Sequence, residues 1–189
     1  MSQIDPVAVV TGGSRGAGRD VARELGSRSY AVVVVYLRDQ GEAEAAVEEI
    51  VAANGTALAV RANVTDELDV ERLFDETNAA FGGVDVVVHA AMRATSVVNQ
   101  QAARQLRHGG AIVDVSSCHA ITPDLAHQLR ARDITVNGLA AGLEPPGADH
   151  HTAELIALLD HWRGPTAVTR AYEGREAWPQ PAFDPANAT

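Results

Sequence analysis

The stretch VAVVTGGSRGAG, residues 7–18, decides how this chain folds. Its first part, Val7 to Thr11, is a short apolar run rich in β-branched residues, which is typical of a buried strand. Four glycines lie between residues 12 and 18, and a helical pattern with Val21, Ala22 and Leu25 on one face comes after them. A strand that passes through a glycine-rich turn into a helix predicts a phosphate-binding loop, because free N–H groups at the helix N-terminus face the phosphate charge.

Strand and helix patterns continue to alternate from this turn to about residue 140. Ala31 to Leu37 is apolar without a break, as expected for a strand covered on both faces. Further strands are predicted at 57–60, 84–88, 111–115 and 134–139, and helices at 42–53, from a cap at Thr65 to Gly82, at 97–107 and at 123–132. The alternation predicts an α/β fold, a doubly wound parallel sheet of the Rossmann-like kind, with shortened fourth and fifth crossover helices. We expect one domain over residues 1–177, with a last strand within 165–172, and an extended proline-rich tail over residues 178–189.

Composition narrows the class of protein. The chain has 46% hydrophobic and 21% charged residues and a net charge of −10, and its fifteen basic residues are all arginine, with no lysine. This acidic balance disfavours nucleic acid and anionic membranes as partners. The single cysteine, Cys118, fits a reducing compartment. We therefore expect a cytoplasmic domain whose partner is a small-molecule substrate or a nucleotide.

Several blocks of the sequence match one family. The loop has the spacing Gly-x-x-x-Gly-x-Gly, and the blocks FGGVDVVVHAA (81–91), GGAIVDVSS (109–117) and DITVNGLAAG (133–142) follow it in order. The sequence thereby resembles the short-chain dehydrogenases/reductases. The resemblance implies an oxidoreductase with a nicotinamide dinucleotide as cofactor.

The resemblance also assigns cofactor contacts. Arg15 lies inside the loop and Arg38 follows the second strand, so both are placed to meet a ribose 2′-phosphate. This favours NADP(H); the alternative is NAD, for which an acid directly after that strand is usual, and Asp39 stands one position further along. The predicted cofactor-binding residues are Gly12, Ser14, Arg15, Gly16, Ala17, Arg38, Asn63, Val64 and Ala90.

The catalytic half departs from the family. Its reaction uses a serine and a Tyr-x-x-x-Lys pair, in which the lysine lowers the tyrosine pKa. Ser117 matches the serine, but no tyrosine follows before Tyr172, and only sixteen residues separate Ser117 from Ile134. The family turn Asn-Asn-Ala-Gly reads His-Ala-Ala-Met over residues 89–92.

Three functions remain open on these residues. The first is a reductase with an unusual acid in place of tyrosine. The second is a redox-neutral enzyme, such as a cyclase or dehydratase, that uses His89, Ser117 and His119 as acid/base groups. The third is a non-catalytic dinucleotide-binding protein, or pseudoenzyme. Asn99 lies too close to Gly109 to carry the family's asparagine role, and no metal site is predicted.

The two short helices also bear on assembly. Family members pair through the helices before and after the fifth strand, and here these helices offer few positions for a stable interface. Four arginines are expected to repel across such a contact: Arg104, Arg107, Arg130 and Arg132. The prediction is a monomer, or a dimer through a different surface.

Overall fold

The computed structural model describes residues 5–90, 95–114, 123–140 and 170–171. Its strands are β1 (Val7–Thr11), β2 (Ala31–Tyr36), β3 (Thr56–Arg61), β4 (Val84–His89), β5 (Leu106–Asp114), β6 (Thr135–Ala140) and β7 (Arg170–Ala171). Its helices are α1 (Gly16–Ser27), α2 (Gln40–Ala52), α3 (Glu67–Phe81), α4 (Thr95–Gln105) and α5 (Pro123–Ala131). The tail over 178–189 lies outside the described residues.

The strands form one parallel sheet in the order β3-β2-β1-β4-β5-β6-β7. The predicted doubly wound fold is confirmed, and β7 pairs with β6 inside the region where a last strand was expected. The strand order reverses between β1 and β4, because β2 and β3 lie on one side of β1 and the later strands on the other. No helix in the described ranges is long and apolar enough to cross a membrane.

Each face of the sheet has its own core. In β1, Ala8 and Val10 pack with the α1 and α2 residues Leu25 and Ile50. Val9, which alternates with them, belongs to the opposite core, together with residues of α3, α4 and α5. Two covered faces explain why β1 from Val7 to Val10 and β2 from Ala31 to Val35 are apolar at every position.

The helix starts follow local capping chemistry, with one difference from prediction. Asp39 caps α2 by accepting a hydrogen bond from the Glu42 N–H at 3.2 Å. Asp66, and not Thr65, caps α3, since its carboxylate accepts from the N–H groups of Leu68 and Asp69. The predicted cap was wrong because the Thr65 hydroxyl instead donates to the Asn63 side chain at 2.8 Å.

The fourth crossover, which runs from β4 through α4 to β5, is shorter than the sequence predicts. Helix α4 has 11 residues and α5 has 9, close to the predicted lengths. The predicted helix end at Arg107 and strand start at Ala111 were wrong, because β5 begins at Leu106, directly after α4. The pairing of β4 with β5 shifts register between Val84 and Val86, which accommodates the extra residues of β5.

Arg132, directly after α5, forms hydrogen bonds with the end of α4 and the start of β5. Its guanidinium donates hydrogen bonds to the carbonyl groups of Ala103, in the last turn of α4, and Leu106, the first residue of β5. Its own carbonyl accepts a hydrogen bond from the Gly109 N–H at 3.0 Å. The start of β5 is therefore tied to the end of α5.

These contacts correct the expected charge repulsion. Arg107 and Arg132 are half-buried and bonded inside the fold, which leaves Arg104 and Arg130 exposed on the two helices. Leu106, the first residue of β5, and Leu129 of α5 are core residues, with 0% and 3% exposure.

Candidate functional site

Polar residues end three adjacent strands at the carboxyl edge of the sheet. Thr11 of β1 is the register partner of His89 of β4, and His89 is in turn the partner of Asp114 of β5. The reversal of strand order falls between β1 and β4. Ligands of open α/β sheets bind at such a switch point, so this edge is the candidate site.

The glycine loop leaves β1 at this edge and has the geometry of a phosphate cradle. Gly12 and Gly16 have φ values of +69° and +53°, in the left-handed region that glycine tolerates best. A Cβ on Gly18 would collide with the Gly12 carbonyl oxygen and would lie 2.9 Å from its carbon. Glycine at position 18 therefore lets the first turn of α1 pack directly on the loop.

The N-terminus of α1 is free to bind an anion. Arg15 stands at the N-cap with an extended backbone, and no side chain in the described residues caps this helix end. The first turn carries no acidic residue. Because the first amides of a helix lack partners within the helix, they and the helix dipole favour a phosphate here.

Two arginines near this loop differ in their contacts from the others around them. Arg15 and Arg38 are exposed, and within the described part of the chain neither guanidinium has a hydrogen bond or an ion pair. Arg19, by contrast, binds Glu49 at 2.8 Å. Arg38 follows β2, whose end lies beside the end of β1, so it belongs to the same edge as the loop.

The predicted cofactor-binding residues Asn63 and Val64 lie in a turn after β3 that is held by a carboxylate. Asp69 accepts a hydrogen bond from the Asn63 N–H at 2.9 Å, and the Asn63 side chain accepts from the Thr65 N–H. The Asn63 amide, and then the Arg72 guanidinium, lower the pKa of Asp69. Val64 is half-buried against the α3 core. The turn is thus fixed by α3 and not by the sheet alone.

His89 lies inside the sheet edge. It is 0% exposed, and its Nδ1 lies 2.7 Å from the Thr11 Oγ1, which is also fully buried. The adjacent Ala90 is half-buried, and its N–H donates to the Thr11 carbonyl at 3.2 Å. Sequence reasoning missed Thr11 as a partner; the only signal was a polar residue at the end of each strand.

The other predicted acid/base residues, Ser117 and His119, lie outside the described residues, so the structure does not test their roles. Among the described residues, no group of three or more histidine, cysteine or acidic side chains has an arrangement that could hold a metal ion.

Comparisons with known proteins agree with this geometry. A family model described as short chain dehydrogenase matches residues 6–108. An uncharacterized oxidoreductase of Methylorubrum extorquens is 31% identical in an alignment of length 185 that covers 75% of each chain. The 3-oxoacyl-[acyl-carrier-protein] reductase FabG of Staphylococcus epidermidis is 31% identical over 80% of this chain, and the match spans 64% of that reductase.

Solved structures give the same result. A dehydrogenase/reductase from Sinorhizobium meliloti superimposes with a TM-score of 0.71 at 27% identity, covering 90% of this chain and 93% of that one. A short chain dehydrogenase from Burkholderia cenocepacia in complex with NADP gives a TM-score of 0.67 at 27% identity, covering 87% and 93%. The chain belongs to the short-chain dehydrogenase/reductase family of oxidoreductases.

Proposed function

We propose that this protein binds NADP(H) at the glycine loop. The observation that carries the proposal is the close approach of Gly18 to the Gly12 carbonyl, which any Cβ at position 18 would prevent. The uncapped N-terminus of α1 supports a pyrophosphate above this cradle. Ser14 and Ala17 complete the loop, and Asn63, Val64 and Ala90 are proposed to line the adenosine side.

The preference for the 2′-phosphate rests on charge. Arg15 and Arg38 are exposed cations with no acidic partner in the described residues, so a phosphate would not have to displace a carboxylate. Asp39, the residue best placed to bind a ribose 2′-OH, already uses its carboxylate to cap α2. Both features favour NADP(H) over NAD(H).

The proposed chemistry differs from the family's usual route. The nicotinamide of a bound dinucleotide donates or accepts a hydride. Proton transfer to the substrate would then depend on groups other than a Tyr-x-x-x-Lys pair, because these 189 residues contain no lysine. We propose Ser117, His119 and His89 as those groups, and we expect carbonyl reduction to be slow, since a positioned acid contributes about 10²–10⁴-fold.

The missing lysine also favours a second candidate function. This candidate is a redox-neutral cyclase or dehydratase, or a non-catalytic dinucleotide-binding protein. Such a protein would need the glycine loop but not the Tyr-x-x-x-Lys pair. We further propose a cytoplasmic protein that is a monomer or a dimer through a non-standard surface, with a small molecule or nucleotide as ligand. Light scattering at micromolar concentration tests the assembly.

Calorimetric titration with NADPH and NADH tests the binding proposal. Arg38→Ala removes a charge-assisted contact, so NADPH should bind more weakly by about 1.5–3 kcal/mol, while NADH changes little. Arg28→Ala is the matched control, because Arg28 pairs with Glu24 at the other end of α1. Equal losses for both dinucleotides, or no binding by the wild type, would refute the proposal.

A carbonyl panel followed at the nicotinamide absorbance band then separates the candidate functions. Binding without turnover selects the second candidate. Turnover at ordinary enzyme rates, about 1–10³ s⁻¹, would show that another acid has replaced the tyrosine. Ser117→Ala and His119→Ala are the variants to measure in that case.

A further inference from the structure

The buried pair of Thr11 and His89 spans the switch point of the sheet. Thr11 is the last residue of β1 before the glycine loop, and His89 is the last residue of β4. Their side chains meet at 2.7 Å, between Oγ1 and Nδ1, and both residues are 0% exposed. The contact joins the two strands between which the strand order reverses.

The hydrogen bond between Thr11 and His89 is not needed to hold the sheet together. The backbone ladder already joins β1 to β4 from Ala8 to Thr11, and the Ala90 N–H extends it to the Thr11 carbonyl. Every other residue of β1 is apolar and buried, so a valine at position 11 would suit a purely structural strand. Instead a hydroxyl and an imidazole are buried together, and removing either one would cost the other this buried hydrogen bond.

Thr11 comes directly before the glycine loop, so its hydrogen bond to His89 affects the loop. Gly12 follows directly and adopts the left-handed conformation with which the loop begins. The Gly12 carbonyl is also the group on which Gly18 packs. A side-chain bond that fixes Thr11 therefore fixes the base of the whole cradle.

We infer that His89 is a positioning residue for dinucleotide binding, which holds the glycine loop in its binding conformation through the Thr11 hydroxyl. The inference rests on the proposed function, and it assigns to His89 a role that requires no contact with substrate. The imidazole has one acceptor and one donor nitrogen when neutral, so it can serve Thr11 through Nδ1 and still use Nε2 elsewhere.

The test compares Thr11→Val with Thr77→Val. Valine keeps the shape of threonine in both variants and removes one buried hydroxyl bond. Thr77 is also 0% exposed, and its hydroxyl donates to the Leu73 carbonyl within α3 at 2.7 Å. NADPH affinity is measured by calorimetry, amide hydrogen exchange over residues 12–18 without ligand, and stability by urea unfolding.

Thr11→Val should weaken NADPH binding about tenfold and speed amide exchange in the loop, since the net loss of one hydrogen bond is of that order. Thr77→Val should lower stability with no change in affinity or in loop exchange. His89→Asn, whose amide can still bond Thr11, should retain more affinity than His89→Leu. Thr11→Val keeps the test decisive if His89→Leu fails to fold.

Failure of the inference and failure of the proposed function would give different results. If the wild type binds NADPH, and Thr11→Val binds it equally well with unchanged loop exchange, the inference is overturned and the proposed function stands. If the wild type binds no dinucleotide, the proposed function is overturned, and loop exchange decides only whether the bond between Thr11 and His89 holds the loop conformation. Exchange that is unchanged in Thr11→Val would then reject this structural role, and faster exchange would support it.

Discussion

Arg107 and Asp85 form an ion pair near the starts of three strands. The Arg107 guanidinium lies 2.7 Å from the Asp85 Oδ2, and the same oxygen accepts a hydrogen bond from the Val7 N–H at 2.8 Å. Arg107 belongs to β5, Asp85 to β4 and Val7 to β1, so one carboxylate oxygen connects three neighbouring strands. This arrangement holds the irregular start of β5 where the short fourth crossover enters the sheet.

Arg107→Ala should therefore destabilise the fold. The ion pair is partly shielded, with side-chain exposures of 33% for Arg107 and 18% for Asp85. We expect a loss of about 1–3 kcal/mol in the free energy of unfolding, measured by urea denaturation. Arg104→Ala is the control, since Arg104 is 59% exposed and lies 3.9 Å from Glu67, and such surface pairs contribute about 0–1 kcal/mol. Equal effects of the two variants would contradict the prediction.

Gly18→Ala should abolish dinucleotide binding and leave the fold standing. The added Cβ meets backbone atoms of Gly12, which cannot move without opening the cradle. Gly41→Ala is the matched control, because its Cβ would meet only the Asp39 Oδ1, at 3.8 Å, on the exposed surface of α2. We expect Gly41→Ala to bind NADPH normally and to gain stability by up to about 1 kcal/mol, from the higher helix propensity of alanine. NADPH affinity that is unchanged in Gly18→Ala would show that the loop is not the binding site.

Local patterns in the sequence predicted the sheet, because continuous β-branched runs such as Val32 to Val35 have no alternative to burial on both faces. They also placed the glycine loop between β1 and α1. The predictions were wrong where a residue far away in the sequence determines the local structure. Arg107 reads as the end of a helix until its bond to Asp85, 22 residues away, is known.

At the candidate site, too, local sequence rules predicted single residues but not the contacts between them. Capping rules allow both Thr65 and Asp66 to start α3, and competition for the Thr65 hydroxyl by Asn63 decides between them. His89 was recognised as a polar residue at a strand end, but Thr11 lies 78 residues away from it. Only the register of two parallel strands brings such residues together.

Acid should loosen the turn that carries Asn63. The hydrogen bond from the Asn63 N–H, and then that from Arg72, lower the pKa of Asp69 below its ordinary value of 3.8. A carboxyl group whose pKa is lowered by folding stabilises the fold above its unfolded pKa, and this contribution is lost as the pH falls through the folded pKa. We therefore expect the loss below pH 3.8 and not near neutrality.

An NMR pH titration checks this directly. The amide resonance of Asn63 should follow the protonation of Asp69, with a midpoint below 3.8. Arg72→Gln should raise that midpoint only in part, since the larger cause is the Asn63 amide. In Asp69→Asn the transition should be absent from the Asn63 resonance. A midpoint at or above 3.8 in the wild type would contradict the assignment.

Asn99 should be replaceable by leucine with a gain in stability. It lies in α4 with 1% exposure, next to the buried Val98 and one turn before Ala103, and neither amide atom has a hydrogen-bond partner in the described structure. A buried amide without partners opposes folding by about 1–3 kcal/mol, and leucine has the same branched shape without the polar atoms. Asn99→Leu should therefore raise the free energy of unfolding by about 1 kcal/mol, measured by urea denaturation. Asn99→Asp should lower it, because the same site would then bury a charge. A marked loss of stability in Asn99→Leu would show that the amide does have a partner in the folded protein.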